Sequence, residues 1–483
     1  MLSAALVPLS MLLANFATLA TQLLVPRFLS PREYATFAVL WATGQFLASA
    51  GFEWARLAVL RFSIVKDSER GASNRRVLLR AYVLTAVAMI AGSVALCIIA
   101  FAGPRWFAYR AAVLGAAAVL YYAACQGTFE GGQAITRARF QNTRFSVGWL
   151  CRTALSLVGA LGASFVSGSG TWALIGLATS YPLSMLLFWI RDVRQLKVTR
   201  RPADREPLRF LLHYGAFAAA STITSNFLPA AVRLLCTQVL SLGVAGGVLL
   251  ALDLSQKALM VVGLAVNLIV MQQSIRATEF GGDEARRMQL SRQVSVPFAL
   301  ITPTAVGFYL IQPTFTLFAV PETYRLIYEA NVGWASLAAA LLGLRLFSVD
   351  PLFIAAGRSR LTVLGPLASL FITSAGVWLG GGIFGYNDRL ISAATAVGLG
   401  GGLLVSTFMA MWKLDIRWPY RDVIITLIAT TAMSAVFLLV VSGTSIMRCM
   451  GAIVLASVTY GLVCWVLNLC SVRDLVSVRL KPS

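Results

Sequence analysis

The chain has 483 residues, 58% of them hydrophobic, with a mean hydropathy of +0.78 and a formal net charge of +21. That is more apolar surface than one or two water-soluble cores can bury, so a soluble enzyme or binding module is excluded. The 40 Lys and Arg are scattered over short loops without a basic domain or motif, which argues against nucleic acid as a partner and for an inner face set against anionic lipid.

In chain order the apolar residues fall into fourteen runs, near 4–26, 35–60, 77–102, 111–130, 145–166, 172–190, 211–235, 245–271, 294–319, 331–354, 361–384, 391–411, 423–442 and 449–469. Most reach the roughly 20 residues that cross a bilayer as a helix. They are near-continuous rather than alternating, which rules against the strands of about ten residues that build a membrane barrel. The predicted fold class is therefore an all-α polytopic membrane protein. The first run carries Asn15, Thr18 and Gln22 along its length and is too long for the apolar core of a signal peptide.

Loops after even-numbered runs hold about 28 of the 40 Lys and Arg, and such residues are retained on the cytoplasmic side. Both termini are accordingly expected in the cytoplasm, although Arg27 and Arg32 after the first run pull locally the other way. The densest basic stretches are 61–80 and 191–209. Trp106, Trp172, Trp189, Trp334, Trp412 and Trp418 stand at run ends, as an aromatic belt requires. The connector 191–210 divides the chain into a lobe at 1–190 and a second at 211–412, leaving two further helices and a tail at 413–483. Six plus six helices is an arrangement found in transporters whose halves rock around a central site.

Chemical motifs are sparse. All seven cysteines lie in or beside apolar runs without CxxC spacing, the single histidine is His213, and no Walker loop, dinucleotide fingerprint or nucleophile elbow is present. Neither a metal nor a cofactor is expected, and no catalytic residue stands out. The informative residues are charges inside the runs, because each costs roughly 2.5–3.5 kcal/mol at mid-membrane. They are Glu53, Arg56, Arg152, Arg233, Asp253, Lys257 and Arg345. Arg152 is expected to snorkel to the interface. Arg56 can pair with Glu53, and Asp253 with Lys257 at i, i+4. Arg233 and Arg345 have no opposite charge on the adjacent turn.

Residues three or four apart share a helix face, and four runs show a polar stripe. These are Asn15, Thr18 and Gln22 in the first; Gln45, Ser49, Glu53 and Arg56 in the second; Thr222, Asn226, Pro229 and Arg233 in the seventh; and Asp253, Lys257 and Met260 in the eighth, continuing toward Asn267. Pro229 cannot donate to the carbonyl of Ser225, which predicts a kink.

The stretch Pro26-Arg27-Phe28-Leu29-Ser30-Pro31-Arg32-Glu33-Tyr34-Ala35-Thr36-Phe37 resembles the N-terminus of the polysaccharide-type flippases, the O-antigen and exopolysaccharide translocases of the multidrug/oligosaccharidyl-lipid/polysaccharide (MOP) exporter superfamily. Ala35 replaces the Gly common in that pattern. The resemblance implies two lobes around a central cavity lined by the first, second, seventh and eighth helices, the same four that carry the stripes. It implies movement of an undecaprenyl-pyrophosphate-linked oligosaccharide across the bacterial inner membrane by alternating access, with membrane lipids around it and a polysaccharide polymerase and export machinery as partners. Pyrophosphate calls for cationic contacts, so Arg233, Lys257 and Arg345, then Arg56, are the expected head-group ligands, with Asn15, Gln45 and Asn226 for the glycan. Glu53 and Asp253 are the candidate coupling groups. Two other readings remain: a cation-coupled drug exporter of the same superfamily, and a membrane polysaccharide polymerase or ligase.

Overall fold

A backbone in hydrocarbon must satisfy its own hydrogen bonds, and the apolar runs do so as helices. The computed structural model describes the backbone of residues 2–62, 69–101, 109–138, 141–195, 205–280, 282–414, 416–441 and 445–471. Side chains are described over the same ranges except 2–8, 59–62, 69–79, 138, 187–195, 205–218, 268–269, 272, 275–280 and 471. The helices are α1 (Leu2–Leu24), α2 (Pro31–Phe62), α3 (Glu69–Phe101), α4 (Arg110–Ala138), α5 (Asn142–Ser167), α6 (Gly170–Gln195), α7 (Arg205–Val239), α8 (Leu242–Phe280), α9 (Gly282–Leu310), α10 (Gln312–Ala319), α11 (Glu322–Leu344), α12 (Asp350–Ala355), α13 (Leu364–Phe384), α14 (Asp388–Lys413), α15 (Tyr420–Val440) and α16 (Ile446–Val466). No strand occurs among the described residues. Twelve stretches among them are long and apolar enough to cross a membrane, so the chain is a multi-pass membrane protein. Trp106, and the side chains of Trp189, His213 and the two predicted basic runs apart from Arg80, lie outside the described residues.

Two compact units divide within α8, at Met1–Leu249 and Leu250–Ser483. The division falls further along the chain than the connector 191–210 because α7 packs lengthwise against α2. In the first unit α2 is central, flanked by α4, α6 and α7, while α1 lies on α5. Helices α5 and α6 meet through Gly159 and Gly176, where a Cβ on either would strike the other's carbonyl oxygen. Such small-residue contacts let backbones approach in lipid, where no hydrophobic force drives helices together.

The turn into α2 is held by backbone. The Glu33 carboxylate accepts the Gly170 N–H at the start of α6, at 2.8 Å. Carboxylates are favoured there by the free N–H groups and the helix dipole. The carbonyl of Pro31 lies where a Cβ on Gly246 would sit, so α8 begins directly against the same turn. Tyr34 and Ala35 are fully buried beneath it.

In the second unit α13 packs on α14, α11 on α14, α15 on α16, and α15 on α9. Between α11 and α12 the chain makes a π-helical turn, Arg345–Val349. The side chain of Gln293, itself fully buried, donates to the Phe347 carbonyl within that turn at 2.9 Å and accepts from Ser274 at 2.9 Å.

Candidate functional site

The predicted site residues fall in both units. In the first unit two members of the α2 stripe pair with each other: Arg56 donates to both oxygens of Glu53, at 2.5 and 2.6 Å. Glu53 is 3% exposed, whereas the Arg56 side chain is 34% exposed, so the pair buries its anion and leaves its cation reachable. Bidentate pairing of this kind fixes the guanidinium plane. Further along α2, Ser49 accepts from Asn226 of α7 at 2.6 Å, and Phe46 packs on Phe227 with ring centroids 5.0 Å apart. These contacts bring the stripes of α2 and α7 face to face. Gln45, half-buried, stands one turn before Ser49 on that face.

Arg233 lies one turn after Pro229 and returns to it, donating to the Pro229 carbonyl at 3.0 Å, and it has further partners. Asn15 donates to the Met11 carbonyl of its own helix at 2.8 Å, as Thr18 does to Ala14. Gln22 is 2% exposed. The stripe on α1 is thus partly turned inward and partly tied to its own backbone.

In the second unit Asp253 is 2% exposed and Lys257 half-buried, and both are engaged. Arg345 is placed differently from the sequence-based expectation. It is fully buried, donates to the Ser369 hydroxyl at 3.0 Å and faces Asp350 at 3.6 Å. The absence of an opposite charge on its adjacent turn was inferred for α-helical spacing. The π turn brings position i+5 round instead, and Asp350 occupies it. As an enclosed ion pair Arg345 offers no accessible surface to a ligand.

Arg152 also departs from expectation. Instead of snorkelling, its guanidinium lies over the Tyr181 ring at 4.3 Å and the Trp149 ring at 5.6 Å, and it donates to the Tyr181 hydroxyl. The chain of contacts continues to Tyr122 at 3.3 Å, whose hydroxyl accepts from the Trp41 indole at 2.8 Å. Aromatic faces attract cations, and no sequence spacing could reveal this cage because its members come from α2, α4, α5 and α6.

One apolar cavity bears on ligand chemistry. About 300 Å³ lies between α9, α15 and α16, lined by residues that include Leu300, Phe308, Met433, Ile453 and Tyr460. Of its hydroxyls, that of Thr304 donates to the Leu300 carbonyl at 2.6 Å and that of Tyr460 to the Ala299 carbonyl, and Ser457 adds a third. The rest of the lining is hydrocarbon. Among the described residues no group of three His, Cys, Asp or Glu is placed to hold a metal.

No family model matches the sequence, and no curated protein matches it. Solved structures do. The lipid II flippase MurJ in its inward closed conformation matches with a TM-score of 0.68 at 14% identity, over 98% of this chain and 99% of that one. An inward-facing multidrug resistance MATE family transporter of the MOP superfamily matches at 0.63 and 14%, over 83% of this chain and 94% of that one. A Vibrio cholerae MATE transporter matches at 0.52 and 14%, over 85% and 98%. The chain therefore has the fold shared by MurJ and the MATE transporters of the MOP superfamily.

Proposed function

We propose that this protein is a flippase for an anionic, polyprenyl-linked oligosaccharide, undecaprenyl pyrophosphate being the expected carrier, acting by alternating access of two six-helix lobes in the bacterial inner membrane with both termini in the cytoplasm. The observation that carries the reading is the apolar cavity beside α15 and α16. A lipid-linked substrate must keep its hydrocarbon tail in an apolar medium while its head crosses, and a lining made mostly of apolar side chains suits that need. The likeness to MurJ over 98% of the chain, against 83–85% for the MATE transporters, supports the same choice.

Arg233, Lys257 and Arg56 are the residues assigned to the pyrophosphate, with Gln45, Asn226 and Asn15 toward the glycan. Glu53 and Asp253 remain the coupling candidates, because both are buried carboxylates beside cations in sequence. Arg345 can join the head-group contacts only if the π turn opens. No catalytic residue or cofactor forms part of the proposal, and a polysaccharide polymerase and export machinery are its proposed partners. A cation-coupled drug exporter is the second reading, favoured by the fold likeness to MATE transporters.

Proteoliposomes carrying a fluorescent polyprenyl-pyrophosphate oligosaccharide provide the test, with wild type beside Arg233→Ala and Lys257→Ala. Wild-type translocation, lost in both variants at unchanged folding, is expected. Failure of wild type on every glycan and gradient, together with efflux of a cationic dye by the same vesicles, would overturn the proposal in favour of the exporter.

A further inference from the structure

In an α-helix each carbonyl accepts from the N–H four residues on, and a proline at that position removes the donor and presses its ring against the carbonyl. Pro351 stands in that relation to Phe347, and the chain widens into the π turn Arg345–Val349 just before it, with the Asp350 N–H returning to the Arg345 carbonyl. The Phe347 carbonyl takes its donor from another helix, the fully buried Gln293 of α9, at 2.9 Å. The same side chain accepts from Ser274 of α8 at 2.9 Å. About three turns back along α8, on the same face, a Cβ on Gly263 would stand 2.1 Å from the Phe347 ring. Phe347 is therefore gripped twice from α8, at its ring directly and at its carbonyl through Gln293.

The turn so held keeps Arg345 in a poor place for a cation. Its side chain is 0% exposed and bonds to the Ser369 hydroxyl through Nη1, while Nε and Nη2 have no hydrogen-bond partner and Asp350 stands 3.6 Å away. A guanidinium carries five donors, and leaving them unmet in a dry enclosure is costly. A π turn between fixed ends cannot vanish, but it can travel along the helix. Each residue it passes on the way toward the N-terminus turns by about 100° and takes the place of the residue before it. Arg345 would take the place of Leu344, which is half-buried against the cluster of Leu259, Ile301 and Phe347. The opposing cost is the Pro351 ring, which would meet the Phe347 carbonyl again. Two costs oppose each other, and the grip on Phe347 decides between them.

We propose that Gln293 is a catch. Together with Gly263 and Ser274 of α8 it holds the π turn at Arg345–Val349, and its release lets the turn travel and brings Arg345 out of its enclosure. Helix α8 begins in the first unit and ends in the second, which places it to work the catch. Arg345 then serves as an anion contact in one state and is withdrawn in the other, a use that rests on the flippase reading; the catch itself does not.

Phenylglyoxal labelling of the intact protein in nanodiscs, followed at Arg345 by peptide mass spectrometry, tests the catch without substrate or transport. Gln293→Leu keeps the bulk and removes both hydrogen bonds, and it is expected to raise the rate at Arg345 several-fold over wild type. Ala452→Leu overpacks the contact of α16 with α15 in the same unit and reports general loosening, so it should leave that rate unchanged. Pro351→Ala gives the helix back an N–H and ordinarily strengthens it, yet it removes the cost that opposes travel and is expected to raise the rate at Arg345 as well. A wild-type rate in Gln293→Leu or in Pro351→Ala overturns the proposal, and so does an equal rise in Ala452→Leu. Should Gln293→Leu fail to fold, Ser274→Ala, which breaks the α8 end of the relay, is read in its place.

Discussion

Arg345 and Asp350 illustrate what a buried charge pair does to a fold. The pair is enclosed, and the desolvation of two ions is offset only while both are present. Arg345→Ala is expected to destabilise by about 3–5 kcal/mol, because it strands the Asp350 carboxylate. Arg345→Met combined with Asp350→Leu should recover most of that loss, and thermal unfolding in detergent measures both. A double variant no better than Arg345→Ala would contradict the account. Sequence reasoning singled out Arg345 but did not pair it with Asp350, since α-helical periodicity has no place for i+5 contacts. Glu53 with Arg56, at an ordinary i, i+3 spacing, was legible for the same reason that Arg345 was not.

At the scale of elements, close approach rather than side-chain packing joins α5 to α6. Gly176→Val inserts a branched side chain against the Gly159 carbonyl and should cost about 1–3 kcal/mol or more, whereas Gly162→Ala on the same α5, which meets nothing, should be neutral. The comparison of their melting temperatures checks the claim. The helices themselves were readable from apolar runs, because in lipid a long apolar run has few alternatives to a helix. Their neighbours were not, since composition does not encode which face of α7 meets α2. Stripes of polar residues came closest: Asn226 and Ser49, chosen by spacing alone, meet at 2.6 Å. The Glu33 stretch was legible as a signature but not in its role, which depends on Gly170 of α6 and Gly246 of α8 arriving at the same turn.

For the whole molecule, the apolar cavity beside α15 and α16 makes the lipid-linked reading separable from the drug-exporter reading. Ser457 lines the cavity and is exposed, so Ser457→Trp fills it without entering a packed core. In the vesicle assay this substitution is expected to slow translocation of a long-chain polyprenyl substrate several-fold and to spare a short-chain analogue. Equal loss for both chain lengths would assign the effect to folding. No sequence pattern announced this cavity, because it forms where α9 meets the consecutive pair α15 and α16 from a distant part of the chain.

A π turn carries one residue more than the α-helix it interrupts, and it hands on the helix with its faces unrotated. Elsewhere in α11, deleting one residue would swing everything downstream by about 100°, a full change of face. Deletion of Leu346 should instead let the Arg345–Val349 turn relax into an ordinary helix, with the carboxylate still above the guanidinium at four residues rather than five. Position 345–349 is thus the one place in this span where the chain can lose a residue and keep its register, at the expense of the Phe347 carbonyl now held by Gln293.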